Sequence, residues 1–324
     1  MGEELRVLIL AAGKGTRMLS GQAKVLHKLC SLPILEYLLQ AAAPLRAREI
    51  IAVIGHQGER VRRQFAGRGL VFIEQREQLG TGHAVLQARV ILQDKGGELL
   101  ILPGDLPLLQ AELLEEFVAF HREHRGRLSL LTMELDDPSG YGRIVRDEAG
   151  NIERIVEEED ATDEGQIHEV NSGIYLVRND HLLWEALEGL NDANAQGEYY
   201  LTDIVSLYRE RGERVRALVA KEGESLLGVN SRADLSRAEA ILRERIIAQA
   251  MDRGVTVSAP ETVIIDQGVE LEQDAIIGPG SSLKGQSRIR GGALIEGSSV
   301  EGFEIGEGSK IIMSLICEKG KEGQ

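Results

Sequence analysis

Cysteine is scarce in this chain: Cys30 and Cys317 are the only two in 324 residues, and they stand far apart. Free or buried thiols are therefore expected rather than a structural disulfide. Long apolar runs are also missing. No stretch of about 18 apolar residues is available to cross a bilayer, and Met1-Gly2-Glu3-Glu4-Leu5-Arg6 lacks the basic-then-apolar order of a signal peptide. A cytoplasmic protein without a membrane partner is the resulting expectation. Positive charge is in deficit too, with 37 lysines and arginines against 52 acids and a formal net charge of −15. Binding along a nucleic-acid backbone needs a broad basic face, so no nucleic-acid partner is expected.

What positive charge there is falls in one place. Lys14, Arg17, Lys24, His27 and Lys28 lie within fifteen residues that contain no acid, whereas Glu157-Glu158-Glu159-Asp160 reads as a solvated face. The basic cluster surrounds Leu10-Ala11-Ala12-Gly13-Lys14-Gly15-Thr16-Arg17-Met18, directly after the apolar run Leu5 to Leu10. A strand that opens into small residues and glycine lets main-chain N–H groups approach a polyanion, and the basic side chains add charge where phosphates would sit. The segment is neither the Walker pattern nor the dinucleotide G-x-G-x-x-G. Standing alone, the same residues also describe a glycine-rich turn with solvated basic side chains.

Length and a 43% hydrophobic content suit two globular domains. Short aliphatic runs, Val7–Leu10, Ile50–Ile54, Leu70–Ile73, Leu99–Leu102 and Leu128–Met133, alternate with amphipathic stretches near Pro33–Arg46, Gly58–Ala66, Thr81–Leu92 and Ala111–His124. This order predicts an α/β fold with a mostly parallel sheet covered by helices on both faces. Pro33 suits a first helical turn. Ligands of such sheets sit at the carboxyl ends of strands, where Ala11–Lys14 and Asp105 fall. Residues 140–229 read as short strands and one helix, and residues 231–253 as a polar helix stopped by Gly254.

Beyond that helix the period changes. Ile265, Leu271, Ile277, Leu283, Ile289 and Ile295 recur every six residues, each preceded two positions earlier by a small or β-branched residue: Val263, Val269, Ala275, Ser281, Ser287, Ala293. This hexad predicts a short parallel β-helix, aliphatics inward and small residues at the corners. The register slips after Ile295, while Val300, Ile305 and Ile311 continue for roughly another coil. About three coils leave an open end and little core, so partners are expected. The boundaries are then 1–229, a helical connector 230–254, and 255–324, with Cys317 to Gln324 as a solvated tail.

The phosphate-loop segment resembles the signature of sugar-1-phosphate nucleotidylyltransferases. Further matches narrow the resemblance to the N-acetylglucosamine-1-phosphate uridyltransferases: Lys24-Val25-Leu26-His27, Gln78–Ala84, Gly104-Asp105-Leu106-Pro107-Leu108, Gly140–Ile144, Ile155-Val156-Glu157, Glu169–Ile174, Asn194–Asp203 and Gly228-Val229-Asn230. They span about the first 230 residues. The resemblance implies a Rossmann-like nucleotidyltransferase domain and a left-handed β-helix that assembles as a homotrimer. It also implies uridylyl transfer from UTP to N-acetylglucosamine-1-phosphate with Mg2+ as cofactor.

By the same resemblance Lys14, Arg17 and Lys24 are the catalytic cations. Leu10, Ala11, Ala12, Gly13, Lys14, Lys24, Gln75, Gly80 and Thr81 hold the nucleotide. Asp105 and Asn230 hold the metal, and Gly142, Glu157, Asn171 and Asn230 hold the sugar. Gln75 and the Gly80-Thr81 turn fit a uracil edge, because an amide offers both donor and acceptor. Thr81 also reads as an N-cap, and both roles are compatible. His83 has no acid or nucleophile partner in sequence and reads as structural. Tyr199 and Thr202 either line an acetyl pocket or pack the fold. One departure is Pro103, where the family often has an aromatic residue, so no aromatic sugar contact is expected from that position.

Longer members of the family add an acetyltransferase site in later coils, with a catalytic histidine. Residues 255–324 contain no histidine, so acetyl transfer is not expected. The remaining alternatives are another sugar-1-phosphate, such as N-acetylgalactosamine- or glucose-1-phosphate, or a regulatory subunit that only binds sugar nucleotide. Retention of Lys14, Arg17, Lys24, Asp105 and Asn230 together speaks against a silent subunit.

Overall fold

A computed structural model describes residues 4–162 and 164–317. In chain order the elements are β1 (Leu5–Ala11), the hairpin strands β2 (Lys28–Leu29) and β3 (Leu32–Pro33), α1 (Ile34–Ala42), β4 (Glu49–Ile54), α2 (Gly58–Gln64), β5 (Leu70–Glu74), α3 (Thr81–Gln87), α4 (Arg89–Leu92), β6 (Glu98–Pro103), α5 (Ala111–His124), β7 (Leu128–Glu134), β8 (Arg143–Arg146), β9 (Ile152–Val156), β10 (Glu169–Arg178), α6 (His181–Glu188), α7 (Ile204–Glu210), β11 (Val215–Val219) and α8 (Arg232–Asp252). The chain divides into two units, Met1–His27 with Ile34–Ser231, and Lys28–Pro33 with Arg232–Gln324.

The first unit is built on one sheet in the order β11-β7-β10-β6-β1-β4-β5. β6, β1, β4 and β5 are parallel neighbours, β7 and β11 are parallel, and β10 runs antiparallel between β6 and β7. Alternation along β1 explains the two covered faces. Val7, Ile9 and Ala11 join Leu35, Leu38 and Phe117 in one apolar cluster, and Leu8 joins Val85, Leu183 and Tyr208 in the other. A strand buried on both sides reads as a continuous aliphatic run, which is why Leu5 to Leu10 carries no polar alternation.

Several boundaries differ from the sequence expectation. Pro33 ends β3, paired with Lys28, and α1 begins one residue later at Ile34. The helix expected over Thr81–Leu92 is divided into α3 and α4 around Ala88. The 140–229 segment supplies two helices, α6 and α7, rather than one. It also sends β10 and β11 into the main sheet, because Val170, Ile174, Tyr175, Leu176 and Val177 are apolar enough to be buried there.

The second unit contains α8, which the sequence cast as a connector. Its Ile247 and Ala250 share an apolar cluster with Val255, Ile265 and Ile277, so the helix belongs with the coils it packs on. The hairpin β2–β3 joins this unit as well. Its turn residues Cys30 and Ser31 both have positive φ, held by bonds from Gln267 N to the Cys30 carbonyl (3.2 Å) and between Ser31 Oγ and an Asp266 carboxylate oxygen. Burial pushes the Cys30 thiol up to about 12. Cys30 and Cys317 are both free, and Cys317 is exposed. The rest of the expected tail, residues 318–324, lies outside the described residues.

From Thr256–Val257 to Leu315–Ile316, strands of two or three residues pair in three parallel sheets, each strand with the third one after it. Ile265 pairs with Leu283, Leu271 with Ile289 and Ile277 with Ile295, each eighteen residues on, which is three hexads. The later coils are shorter. Leu283 pairs with Val300 and Ile289 with Ile305, so the slip visible in the sequence is a loss of one and then two residues per coil. Ser281 and Ser287 are buried in the prism, and their hydroxyls donate to the Ile295 and Val300 carbonyls at 3.2 and 3.3 Å.

Candidate functional site

A cavity of about 600 Å³ opens at the carboxyl ends of β1 and β6 in the first unit. Strand ends in a parallel sheet leave main-chain groups unpaired, and the loops that follow build a ligand site there. Leu10, Ala11, Ala12, Gly13, Lys14, Gly15 and Thr16 form one wall. A Cβ added at Gly13 would meet no atom within 4 Å, so its bare backbone faces open space rather than the protein. Lys14 is exposed on this wall. Arg17 lies in the short turn Thr16–Met18, exposed, and does not contribute to the lining.

Lys24, Asp105 and Asn230 meet in the floor although 81 and 206 residues separate the lysine from its two partners. Lys24 Nζ lies 2.6 Å from Asp105 Oδ2 and 2.9 Å from Asn230 Oδ1. Two segments are stitched together here, because Val229 N donates to the Asp105 carbonyl at 2.9 Å. One carboxylate oxygen and one amide oxygen thus converge on a single cationic atom. Hard oxygen donors of this kind also suit a divalent cation. Among the described residues no group of three or more His, Cys, Asp or Glu could hold a metal. A metal ion held by Asp105 and Asn230 would therefore need further ligands from outside such a cluster, such as substrate oxygens and water.

Gln75, Gly80 and Thr81 line the opposite end. Gln75 is buried just after β5, its N–H donating to the Ile54 carbonyl at 2.8 Å and its Nε2 to the Gly80 carbonyl at 3.1 Å. Gly80 has φ +112°, and a Cβ there would come within 2.6 Å of the Tyr199 carbonyl oxygen, so only glycine fits. The capping role read for Thr81 is not what the structure has. Gly80 occupies the N-cap position without a side-chain cap, and Thr81 is the first helical residue, its hydroxyl accepting from Leu201 N at 3.0 Å. Tyr199 is held through its main chain, with Leu79 and Gly82, and does not line the cavity, whereas Thr202 does.

Gly142, Glu157 and Asn171 close the third side. The acidic run 157–160 is not the solvated face expected of it, and only Glu159 is exposed. Glu158 pairs with the buried Arg143 at 2.6 Å, Asp160 accepts from Ala195 N at 2.9 Å, and Glu157 accepts from the Thr202 hydroxyl at 2.9 Å. Burial pushes the Glu157 carboxyl above the ordinary glutamate range. The Thr202 hydrogen bond opposes this, and Glu159, Asp203 and Asp160 add to it. Gly142 gives its carbonyl to Asn171 N at 2.8 Å, and an added Cβ would press on Ile155 at 2.9 Å and on the Glu157 carboxylate at 3.2 Å.

Tyr175 and Tyr141 were not singled out from sequence, yet both line the cavity. The Tyr175 hydroxyl accepts from Asn171 Nδ2 at 2.9 Å, and burial raises its pKa so that it stays protonated. Gly228 N donates to the Tyr141 hydroxyl at 3.3 Å. The signal for Tyr175 is Gly173 inside a strand: the pairing of β10 with β7 shifts between Asn171 and Ile174, a bulge that re-aims side chains. Pro103, which stands where the family often has an aromatic residue, packs against Gly173, where an added Cβ would lie 2.7 Å from its ring.

The nucleotidyl transferase family model matches residues 6–224. A bifunctional protein GlmU of Brevibacillus brevis is 41% identical over 321 residues, 98% of this chain and 69% of that protein. GlmU proteins of Streptococcus gordonii and Pelobacter propionicus are each 42% identical, over 96% and 98% of this chain and 68% and 69% of theirs. With that extent of identity, and with a strand-end cavity that gathers the matched motifs, the chain belongs to the nucleotidyl transferase family and, within it, to the uridyltransferase part of the GlmU proteins.

Proposed function

We propose that this chain transfers uridylyl from UTP to N-acetylglucosamine-1-phosphate, giving UDP-N-acetylglucosamine and pyrophosphate. The observation that carries the reading is the meeting of Lys24, Asp105 and Asn230 in one cavity walled by Ala11–Thr16 on one side and Glu157 and Asn171 on the other. A phosphate oxygen of the sugar phosphate attacks the α-phosphorus of UTP. The bond from that phosphorus to the bridging oxygen of the β-phosphate breaks, and pyrophosphate leaves with the electron pair. Such a transfer needs alignment and neutralised charge more than an acid or a base.

Lys14 and Arg17 take the β- and γ-phosphates, and Lys24 takes the α-phosphate and the incoming phosphate. Gln75, Gly80 and Thr81 receive the base, and Gly142, Glu157, Asn171 and Asn230 the sugar. Asp105 and Asn230 hold a divalent metal, which we assign as Mg2+. Bound there, it supplies positive charge to the phosphate oxygens. The three-sided stack of short parallel strands supports a β-helix, to which we assign the left-handed winding of the family, and the exposed Ile276, Phe303, Ile312, Met313 and Leu315 support its assembly as a trimer.

Pyrophosphate release across a panel of nucleoside triphosphates and sugar phosphates tests the reaction. Fastest release with UTP and N-acetylglucosamine-1-phosphate is expected. Faster release with N-acetylgalactosamine- or glucose-1-phosphate reassigns the sugar, and a monomer by light scattering at micromolar concentration removes the trimer.

A further inference from the structure

His83 lies in α3, half-buried, three residues beyond Gly80, and nothing in the proposed transfer uses it. Its ring is bracketed by two side-chain amides. Gln75 Nε2 stands 3.0 Å from Nδ1, and Gln87 Nε2 stands 2.9 Å from Nε2. A neutral imidazole donates at one nitrogen and accepts at the other, so two amide nitrogens cannot both donate to it. One amide presents its oxygen instead.

The surroundings decide which one. Gln75 is 3% exposed, and its nitrogen also donates to the Gly80 carbonyl at 3.1 Å. Turning that amide would set two oxygens against each other where water does not reach. Gln87 is half-buried, and its second contact, to the His83 carbonyl, is longer at 3.3 Å. Gln87 is the amide that turns. The chain of bonds then runs from His83 Nε2–H to Gln87 Oε1, and from Gln75 Nε2–H to His83 Nδ1. Gln75 Oε1 is the polar atom that Gln75 has left for the cavity it lines.

We propose that His83 is a positioning residue that, together with the Gly80 carbonyl, locks the Gln75 amide with its oxygen toward the base and so sets the choice of pyrimidine. A glutamine free to rotate offers a donor or an acceptor and serves uracil and cytosine alike. Locked, it accepts from the N3–H of uracil. The same oxygen faces the N3 lone pair of cytosine, where no hydrogen bond forms and the buried acceptor goes unpaired. The inference rests on the proposed uridylyl transfer, with Gln75 at the base.

The test is kcat/KM for UTP and for CTP, with one sugar phosphate, in the wild type, His83→Leu, His83→Asn and Gln87→Leu. A wild type that prefers UTP is expected, with His83→Leu lowering the UTP/CTP ratio at least about tenfold, chiefly through a lower KM for CTP. Its kcat with UTP stays within about threefold of wild type, since no reacting atom is touched. His83→Asn, whose amide oxygen accepts from Gln75 Nε2 as the ring does, keeps most of the preference. A ratio unchanged in His83→Leu, whatever happens to its melting temperature, reduces His83 to packing and overturns the proposal. If His83→Leu does not fold, Gln87→Leu decides: it releases the ring to exchange its proton, so the ratio must fall, and an unchanged ratio is fatal. A wild type that prefers a purine triphosphate defeats the uridylyl reading itself, whereas one that uses UTP and CTP equally defeats only the lock.

Discussion

The two units solve the problem of burying a chain in opposite ways. In the second, a residue's important neighbours are sixteen to eighteen positions away, in the coil above or below, and the same pairing recurs around a prism. Contacts are local to adjacent coils, so stability accumulates coil by coil. In the first, the core at β1 is shared between two faces, and the polar atoms that matter come from segments as far apart as Lys24 and Asn230. Side chains there hold each other at strand ends and contribute little burial. Substitution of these strand-end polar residues should therefore remove chemistry with little loss of folding, and substitution of the inward aliphatics of the second unit should do the reverse.

Asp105→Ala tests that contrast hardest. If Asp105 holds the metal as proposed, its loss removes several kcal/mol of transition-state stabilisation, and turnover should fall at least ~100-fold while the melting temperature barely moves. Turnover retained at saturating Mg2+ would place the metal elsewhere. Lys24→Ala comes next, with turnover down about tenfold or more and a smaller rise in the KM for UTP, because its charge is needed most as the phosphoryl group moves. A pure KM effect would make it a ground-state contact. Ile277→Val strikes the other side. The residue is fully buried in the prism, and loss of one methylene should cost about 0.5–1.5 kcal/mol of stability at unchanged turnover. Equal loss of activity would show that the coils and the cavity are not separable in this way.

The contrast also explains what could be read in advance. The hexad was legible because one inward position in six repeats the same demand, and even the shortened coils appeared as a slip after Ile295. The parallel strands were legible because burial on both faces leaves continuous aliphatic runs. The turn at Cys30 and Ser31 was not, since neither residue carries the glycine or asparagine signal of a two-residue hairpin. Motif matching named Lys24, Asp105 and Asn230, but their common meeting point depends on chain paths between segments that no local pattern encodes. Glu157 shows the limit most plainly: four consecutive acids look solvated in sequence, and only tertiary packing reveals that Thr202 and burial give the first of them a separate environment.

That environment gives the smallest and most specific effect. The Glu157 carboxyl has its pKa raised, mainly by burial, so on acidification it takes up its proton at a higher pH than an ordinary glutamate. Above that raised value the carboxylate, whose one oxygen already accepts from Thr202, would accept hydrogen bonds from the sugar hydroxyls of the proposed substrate through both oxygens. Below it, one oxygen carries a proton and an acceptor is lost. The apparent KM for N-acetylglucosamine-1-phosphate should thus rise as the pH falls through the raised pKa, by about threefold to tenfold for one weakened hydrogen bond. Linkage gives stability the opposite sign. The folded state holds this proton more tightly than the unfolded chain, so between the ordinary and the raised pKa the contribution of Glu157 to stability falls as the pH rises. Glu157→Gln keeps an oxygen for Thr202 but cannot titrate. Its KM should be elevated and should lack this pH dependence, and its melting temperature should fall less than that of the wild type as the pH rises through the window. A variant whose KM follows pH as the wild type does would trace the dependence to the phosphates of the substrates and take Glu157 out of the sugar site.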